Sequence, residues 1–152
     1  MGPTDTLAAV EEIKGLKARY FRSIDTKDWD GLREVFTTDA SLDMSDEARR
    51  RGADPATGVT VGAAAIVERM RRALADVTTV HHGHTPEIAV VSATEATGVW
   101  AMEDKLWWHD PSAPLASLHG YGHYHEAYTL VDGGWRIATT RLARLRVDVV
   151  RH

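Results

Sequence analysis

The sequence predicts an α+β fold, with helices first and a long antiparallel sheet curled around them. Three observations carry this. The spacing of apolar residues is helical through the first half and changes to alternation from Thr78 onward. Turn signals at Ser92-Ala93-Thr94 and Asp132-Gly133-Gly134 join one alternating run directly to the next, as hairpins do. The runs 95–108 and 118–131 are long, which favours strong curvature over a flat sheet.

The elements follow in order. Over 6–24, Leu7, Val10, Ile13, Leu16 (or Lys17), Tyr20 and Ile24 lie on one helical stripe, with Thr4 or Thr6 as the expected cap. Lys27 to Phe36 reads as a short second helix with Asp28 as N-cap and Trp29, Leu32, Val35 and Phe36 inward. Ala40 to Met44 fits a short strand. Residues 45–61 are polar and marked by Gly and Pro, so they read as a loop. Gly62 to Ala75 reads as a third helix with Ile66, Met70 and Leu74 on one face, leaving Arg69, Arg71 and Arg72 to solvent. Strands are expected at 78–82, 86–92, 95–108, 118–131 and 134–149, with a loop at 109–117. No repeat or linker divides the chain, and 152 residues suit one domain spanning 1–152.

Composition narrows the function. A net charge of -4 gives no sign of a nucleic-acid partner. No run of eighteen apolar residues exists to span a membrane, and the first twenty residues lack the apolar core of a signal peptide, which points to a cytoplasmic protein. The absence of Cys excludes disulfides, thiolate catalysis and thiolate metal sites. Five Trp and eight His suit a cavity that takes a large apolar molecule and moves protons, although a well-packed core with surface histidines would use them equally well.

Several residues can carry chemistry. Tyr20 lies on the apolar stripe of the first helix, and Asp25 follows just past its end, where the helix dipole disfavours an acid unless something compensates. Asp25 could instead cap the following loop. In a strand over 78–82, His81 and His82 face opposite sides, and the spacing alone does not say which points inward. Asp104 shares a face with Trp100, Met102 and Leu106, and burying a carboxylate there costs several kcal/mol unless it is paired. Arg144 shares a face with Leu142, Arg146 and Asp148, which by itself resembles an exposed strand. His123-Tyr124-His125 suggests a metal motif, but Glu126 is adjacent to His125 rather than a few residues on, so no metal site is expected.

Four segments then bring these residues together: IKGLKARYFRSIDTKDWD (13–30), HHGHTPEI (81–88), ATGVWAMEDKL (96–106) and GYGHYHEAYTLVDGGWRIATTRLARLR (120–146). They resemble the bacterial bile acid 7α-dehydratases, within the scytalone dehydratase and SnoaL-like group of the nuclear-transport-factor-2-like superfamily. The resemblance implies a cone-shaped half-barrel, no cofactor and a homo-oligomer, trimer or dimer. It implies that Tyr20, Asp25, His81, Asp104 and Arg144 are catalytic, with His81 the proton shuttle and Asp25 its partner. Trp100, Met102, Tyr124 and Tyr128 are the expected substrate contacts. The implied activity is dehydration of a hydroxylated polycyclic ketone of the 3-keto-4-ene steroid type, either free or as a coenzyme A thioester. Isomerase-like or cyclase-like proton transfer and non-catalytic binding of a small molecule are the alternatives. Ile24 and Met44 replace two tyrosines of scytalone dehydratase, which argues against scytalone itself.

Overall fold

A computed structural model describes residues 2–152. Helix α1 (Pro3–Asp25) buries Ile13, Leu16, Tyr20 and Ile24, and also Lys17, so the stripe holds both of its candidate residues. Each fully buried Ile or Leu contributes roughly 1.5–3 kcal/mol. Neither Thr4 nor Thr6 caps the helix. It starts at Gly2, whose N–H donates to the Asp5 carboxylate at 2.9 Å, because Pro3 supplies the preset first turn. Helix α2 (Trp29–Glu34) is shorter than expected and is capped by Asp28, which accepts from the Gly31 N–H.

Strand β1 (Phe36–Asp43) begins earlier than the sequence suggests. The expected loop 45–61 holds three ordered pieces: α3 (Ser45–Arg50), a 3₁₀ turn at Pro55–Gly58, and β2 (Val59–Val61). Each is too short to give a periodic signal. Gly58 packs so closely on the backbone of Met44 and Ser45 that a Cβ there would collide with it, which ties the segment down. Gly62, at φ 98, precedes α4 (Ala63–Leu74) in a conformation that favours glycine.

The sheet follows as β3 (Val77–Val90), β4 (Glu95–Trp108), β5 (Ser117–Val131) and β6 (Gly134–Val150). Its order is β2-β1-β6-β5-β4-β3, antiparallel except for the parallel β1–β6 pair. The fold is thus α+β, with a curved, open sheet wrapped around the N-terminal helices. The two strands expected at 78–82 and 86–92 are one. Between Gly83 and Pro86 the strand carries one extra residue relative to β4, and this bulge accommodates the proline on an edge strand. The β5–β6 hairpin turns on Asp132 and Gly133, both at positive φ, with Val131 already paired to Gly134.

Strand β6 departs most from simple alternation. Its pairing with β5 slips by one residue between Thr139 and Ile137, and again between Arg146 and Arg144. Ala138 and Leu145 are the extra residues. Trp135 and Ile137 point inward, then Thr140, Leu142 and Arg144, and Leu145 is thrown out to 75% exposure. Arg144 therefore does not share a face with Arg146, as uninterrupted alternation implies.

Candidate active site

Four strands place one row of positions across the concave face. His81 on β3 pairs with Asp104 on β4, Asp104 pairs with Gly120 on β5, and Gly120 pairs with Val147 on β6. Arg144 reaches into this row from one bulge away. A Cβ on Gly120 would run into both the Arg144 guanidinium and the Asp104 carboxylate, so glycine clears the space for their contact. Gly122 instead makes room for backbone, since a Cβ there would strike the Ala143 carbonyl beside the bulge.

Asp25 ends α1 behind His81. Its Oδ1 lies 2.7 Å from His81 Nδ1, and its Oδ2 accepts the His81 backbone N–H at 2.9 Å. The Thr79 hydroxyl donates to Oδ1 at 2.9 Å and accepts from Lys27 Nζ at 3.1 Å. These donors compensate the unfavourable helix terminus. Burial alone would raise the Asp25 pKa, but hydrogen bonds from the His81 ring and backbone, and from Thr79, bring it below the ordinary carboxylate value. An ionised Asp25 can only accept, so Nδ1 is the donor, and in the neutral imidazole the lone pair then lies on Nε2. His81 lines the cavity, and among the described residues its Nε2 has no hydrogen-bond partner.

Asp104 and Arg144 form a bidentate pair at 2.6 and 2.9 Å, both largely buried. Burial alone would depress the Arg144 pKa, but the Asp104 hydrogen bonds and charge raise it, so the guanidinium stays charged. Tyr20 and Tyr124 also line the cavity, edge to face at 5.9 Å. Burial pushes both phenols above their ordinary range, which keeps them protonated as donors.

The cavity encloses about 800 Å³ between the sheet, α3 and α4. Its walls are mostly apolar, with Ile24, Leu42, Met70, Leu106, Trp108 and Leu142 among them. Of the four expected substrate contacts, only Tyr124 lines it. Trp100, Met102 and Tyr128 share the inward face but pack in the core nearby. The Trp100 indole N–H donates to the Tyr128 hydroxyl at 2.8 Å, and that hydroxyl donates to Glu126 at 2.6 Å. Gly98 leaves room for the Tyr128 ring. Arg69 is not a plain solvent group either: it lines the cavity, while Arg71 and Arg72 pair with Glu68 outside.

The remaining histidines are elsewhere. His82 and His119 both approach Glu103, at 3.4 and 2.9 Å, and His84 is exposed. His123 and His125 alternate with the inward Tyr124. Among the described residues, no three acidic or histidine side chains converge as metal ligands would.

The family model for the SnoaL-like domain matches residues 5–141, nearly the whole of this architecture. The chain belongs to the SnoaL-like family. Solved structures with the same fold include a provisionally named scytalone dehydratase from Novosphingobium aromaticivorans DSM 12444. It is 18% identical with a TM-score of 0.80, over 96% of this chain and 90% of that one. A hexachlorocyclohexane dehydrochlorinase, LinA-type3 from Novosphingobium barchaimii LL02, is 15% identical with a TM-score of 0.78, over 98% and 94%. A protein of unknown function from Mycobacterium tuberculosis is 26% identical with a TM-score of 0.73, over 92% and 78%. The α3 segment that closes one side of this SnoaL-like cavity was hidden in the sequence by its short elements. Gly120, two residues before Gly122 in a strand, was a readable sign of close side-chain approach.

Proposed function

We propose that this SnoaL-like protein is a cofactor-independent lyase that eliminates water from a hydroxylated polycyclic ketone, of the 3-keto-4-ene steroid type. One observation carries the reading: His81 is anchored through Nδ1 by Asp25, while Nε2, without a partner among the described residues, is left to a cavity with mostly apolar walls. That is the arrangement of a general base with a fixed tautomer.

In the proposed reaction, Nε2 removes a proton from a carbon made acidic by the conjugated ketone. The C–H electrons move into the conjugated system and onto the ketone oxygen. Tyr20 and Tyr124 donate hydrogen bonds to that oxygen as its charge grows. The electrons return, the C–O bond to the hydroxyl breaks, and the His81 imidazolium gives its proton to the departing oxygen. One C–H and one C–O bond are lost, one C=C bond is gained, and water leaves. These steps need only proton transfers, so no metal or redox cofactor is invoked. Asp104 accepts two guanidinium hydrogen bonds, so proton return is assigned to His81, and the Asp104–Arg144 pair shapes the floor beside it. The names of two structural neighbours, dehydratase and dehydrochlorinase, both describe eliminations.

The test is a panel of hydroxylated 3-keto-4-ene steroids followed by mass spectrometry. Loss of one water with the wild type, and not with His81→Ala, is expected. Products of unchanged mass would mean isomerisation instead, and an unreacted panel would sink the steroid assignment.

A further inference from the structure

Two side chains behind the Asp25–His81 pair do not line the cavity: Thr79 and Lys27. Thr79 precedes His81 by two residues on β3, so both face the same way, and it is 3% exposed. A hydroxyl buried so far is costly unless it is bonded. Lys27 stands in the turn after α1 at φ 61, a conformation that is easy for glycine and uncommon for lysine. Such a backbone outlier beside a reactive group is a pointer to function. A glycine would relieve the backbone but would bring no ammonium to Thr79.

The donors and acceptors allow one direction only. An ammonium has no lone pair, so Lys27 Nζ donates and Thr79 Oγ1 accepts, at 3.1 Å. The single hydrogen of the hydroxyl is then left for Asp25 Oδ1, at 2.9 Å. Without the ammonium, the hydroxyl is free to turn that hydrogen away. Oδ1 is also the oxygen that meets His81 Nδ1, at 2.7 Å, while Oδ2 takes the His81 backbone N–H. Every hydrogen bond in the cluster thus runs toward Asp25. The backbone bond pins Oδ2, and the Thr79 bond sets where Oδ1 sits. Phe21 lies 15° from parallel to the imidazole with centroids 6.1 Å apart, but it offers no polar atom to direct Nε2. The aim of Nε2 therefore depends on Oδ1. Burial lowers the Lys27 pKa and the Asp25 charge opposes that fall, so the carboxylate is felt at the ammonium as well.

We propose that Thr79 and Lys27 are positioning residues of the acid–base site: Lys27 fixes the direction of the Thr79 hydroxyl, and Thr79 fixes the Asp25 oxygen that aims His81. This rests on His81 being the base, but not on the substrate or on which bond breaks.

The test compares Thr79→Val, which keeps the shape and removes the hydroxyl, with Thr79→Ser, which keeps the hydroxyl. Lys27→Met removes the donor and retains the side-chain stem and the backbone conformation. The first readout needs no substrate. The His81 Nδ1 proton is followed by NMR as a far-downfield resonance, assigned by its loss in His81→Ala. In Thr79→Val it should shift and exchange with water several-fold faster, and Thr79→Ser should restore it. Lys27→Met should move it in the same direction by less. The second readout is kinetic, on a steroid that loses water. Thr79→Val should lower kcat about tenfold, the scale of one hydrogen bond to a charged acceptor. KM should change little, because neither residue lines the cavity. Thr79→Val/Lys27→Met should be no worse than Thr79→Val, since Lys27 acts through Thr79. An unchanged Nδ1 resonance in Thr79→Val overturns the proposal, as does a rise in KM at constant kcat. Multiplicative losses in the double variant overturn the relay from Lys27. Should Thr79→Val fail to fold, an unchanged resonance in Lys27→Met overturns the proposal instead. If the resonance responds and serine restores it, yet no steroid loses water, the positioning role stands and the dehydratase reading fails.

Discussion

Lys17 Nζ lies 2.5 Å from Glu126 Oε1, and both side chains are 0% exposed. The ammonium sits over the rings of Tyr20 and Tyr124, at 4.1 and 3.6 Å from their centroids. Glu126 also accepts from the hydroxyls of Tyr128 and Thr140. Burial lowers the Lys17 pKa, and Glu126 opposes that fall. The core behind the two cavity phenols therefore holds a buried Lys–Glu pair whose carboxylate takes three hydrogen bonds.

Removing one member leaves the other charge buried alone. Lys17→Met should destabilise by about 3–5 kcal/mol in urea unfolding, whereas Lys17→Met/Glu126→Leu should recover most of that loss. A double variant no more stable than the single would show that the pair contributes more than mutual neutralisation.

His81→Ala should fold and lose at least about 100-fold in kcat, while His82→Ala and His84→Ala lose far less. His82 faces Glu103 rather than the cavity. Comparable losses at His81 and His82 would contradict the assignment of the base.

Asp25→Asn should lower kcat by about 10²–10⁴-fold, and His81→Ala/Asp25→Asn should be scarcely worse than His81→Ala. Multiplicative losses would make Asp25 an independent actor. Stability adds a second readout. The Asp25 pKa is below its ordinary 3.8 in the folded protein, so the unfolded chain binds the proton more tightly. Its contribution is full above the ordinary value and fades as pH falls through the folded one. The wild type should therefore lose stability in acid more steeply than Asp25→Asn.

Lys27 sits at φ 61, just past α1, where helices commonly end in glycine. It holds the Thr79 hydroxyl that bonds Asp25. Lys27→Gly should leave Tm unchanged or higher, since relief of the backbone offsets the lost bond, and should lower kcat several-fold. A fall in Tm with full activity would reverse this account.

Gly120→Ala should push apart Asp104 and Arg144 and destabilise by about 1–3 kcal/mol, the usual range for overpacking. Activity should fall more than in Gly133→Ala, where a Cβ meets no neighbour and the strain is confined to the turn.

Much of this was legible in the sequence. Strand β4 was bounded correctly because Trp100, Met102 and Asp104 alternate without interruption up to the loop at 109. Its inward Asp104 was recognisable as a polar group needing a partner. The bounds of strand β6 are legible to within a residue, but its facing is not, because Ala138 and Leu145 each shift the alternation and neither residue type marks a bulge. The α3 segment was lost to its brevity and its Gly and Pro content. Lys17 stood at a stripe position, but its partner lies 109 residues away and no local pattern joins them. Trp100, Met102 and Tyr128 read as substrate contacts for another reason: an inward-facing side chain and a cavity-lining one look alike along a strand.

The site row has a consequence for how the chain matures. Asp25 and His81 are 56 residues apart and Asp104 and Arg144 are 40 apart, each pair joining different elements. No hairpin or helix pair carries the chemistry by itself. Contacts of such long range form late and slowly, after much chain entropy has been lost. Partly folded forms can show native-like helix and strand signals while β6 is still undocked, yet they lack the paired floor. Recovery of turnover during refolding should therefore lag behind recovery of secondary structure, making activity the stricter clock of a completed native state.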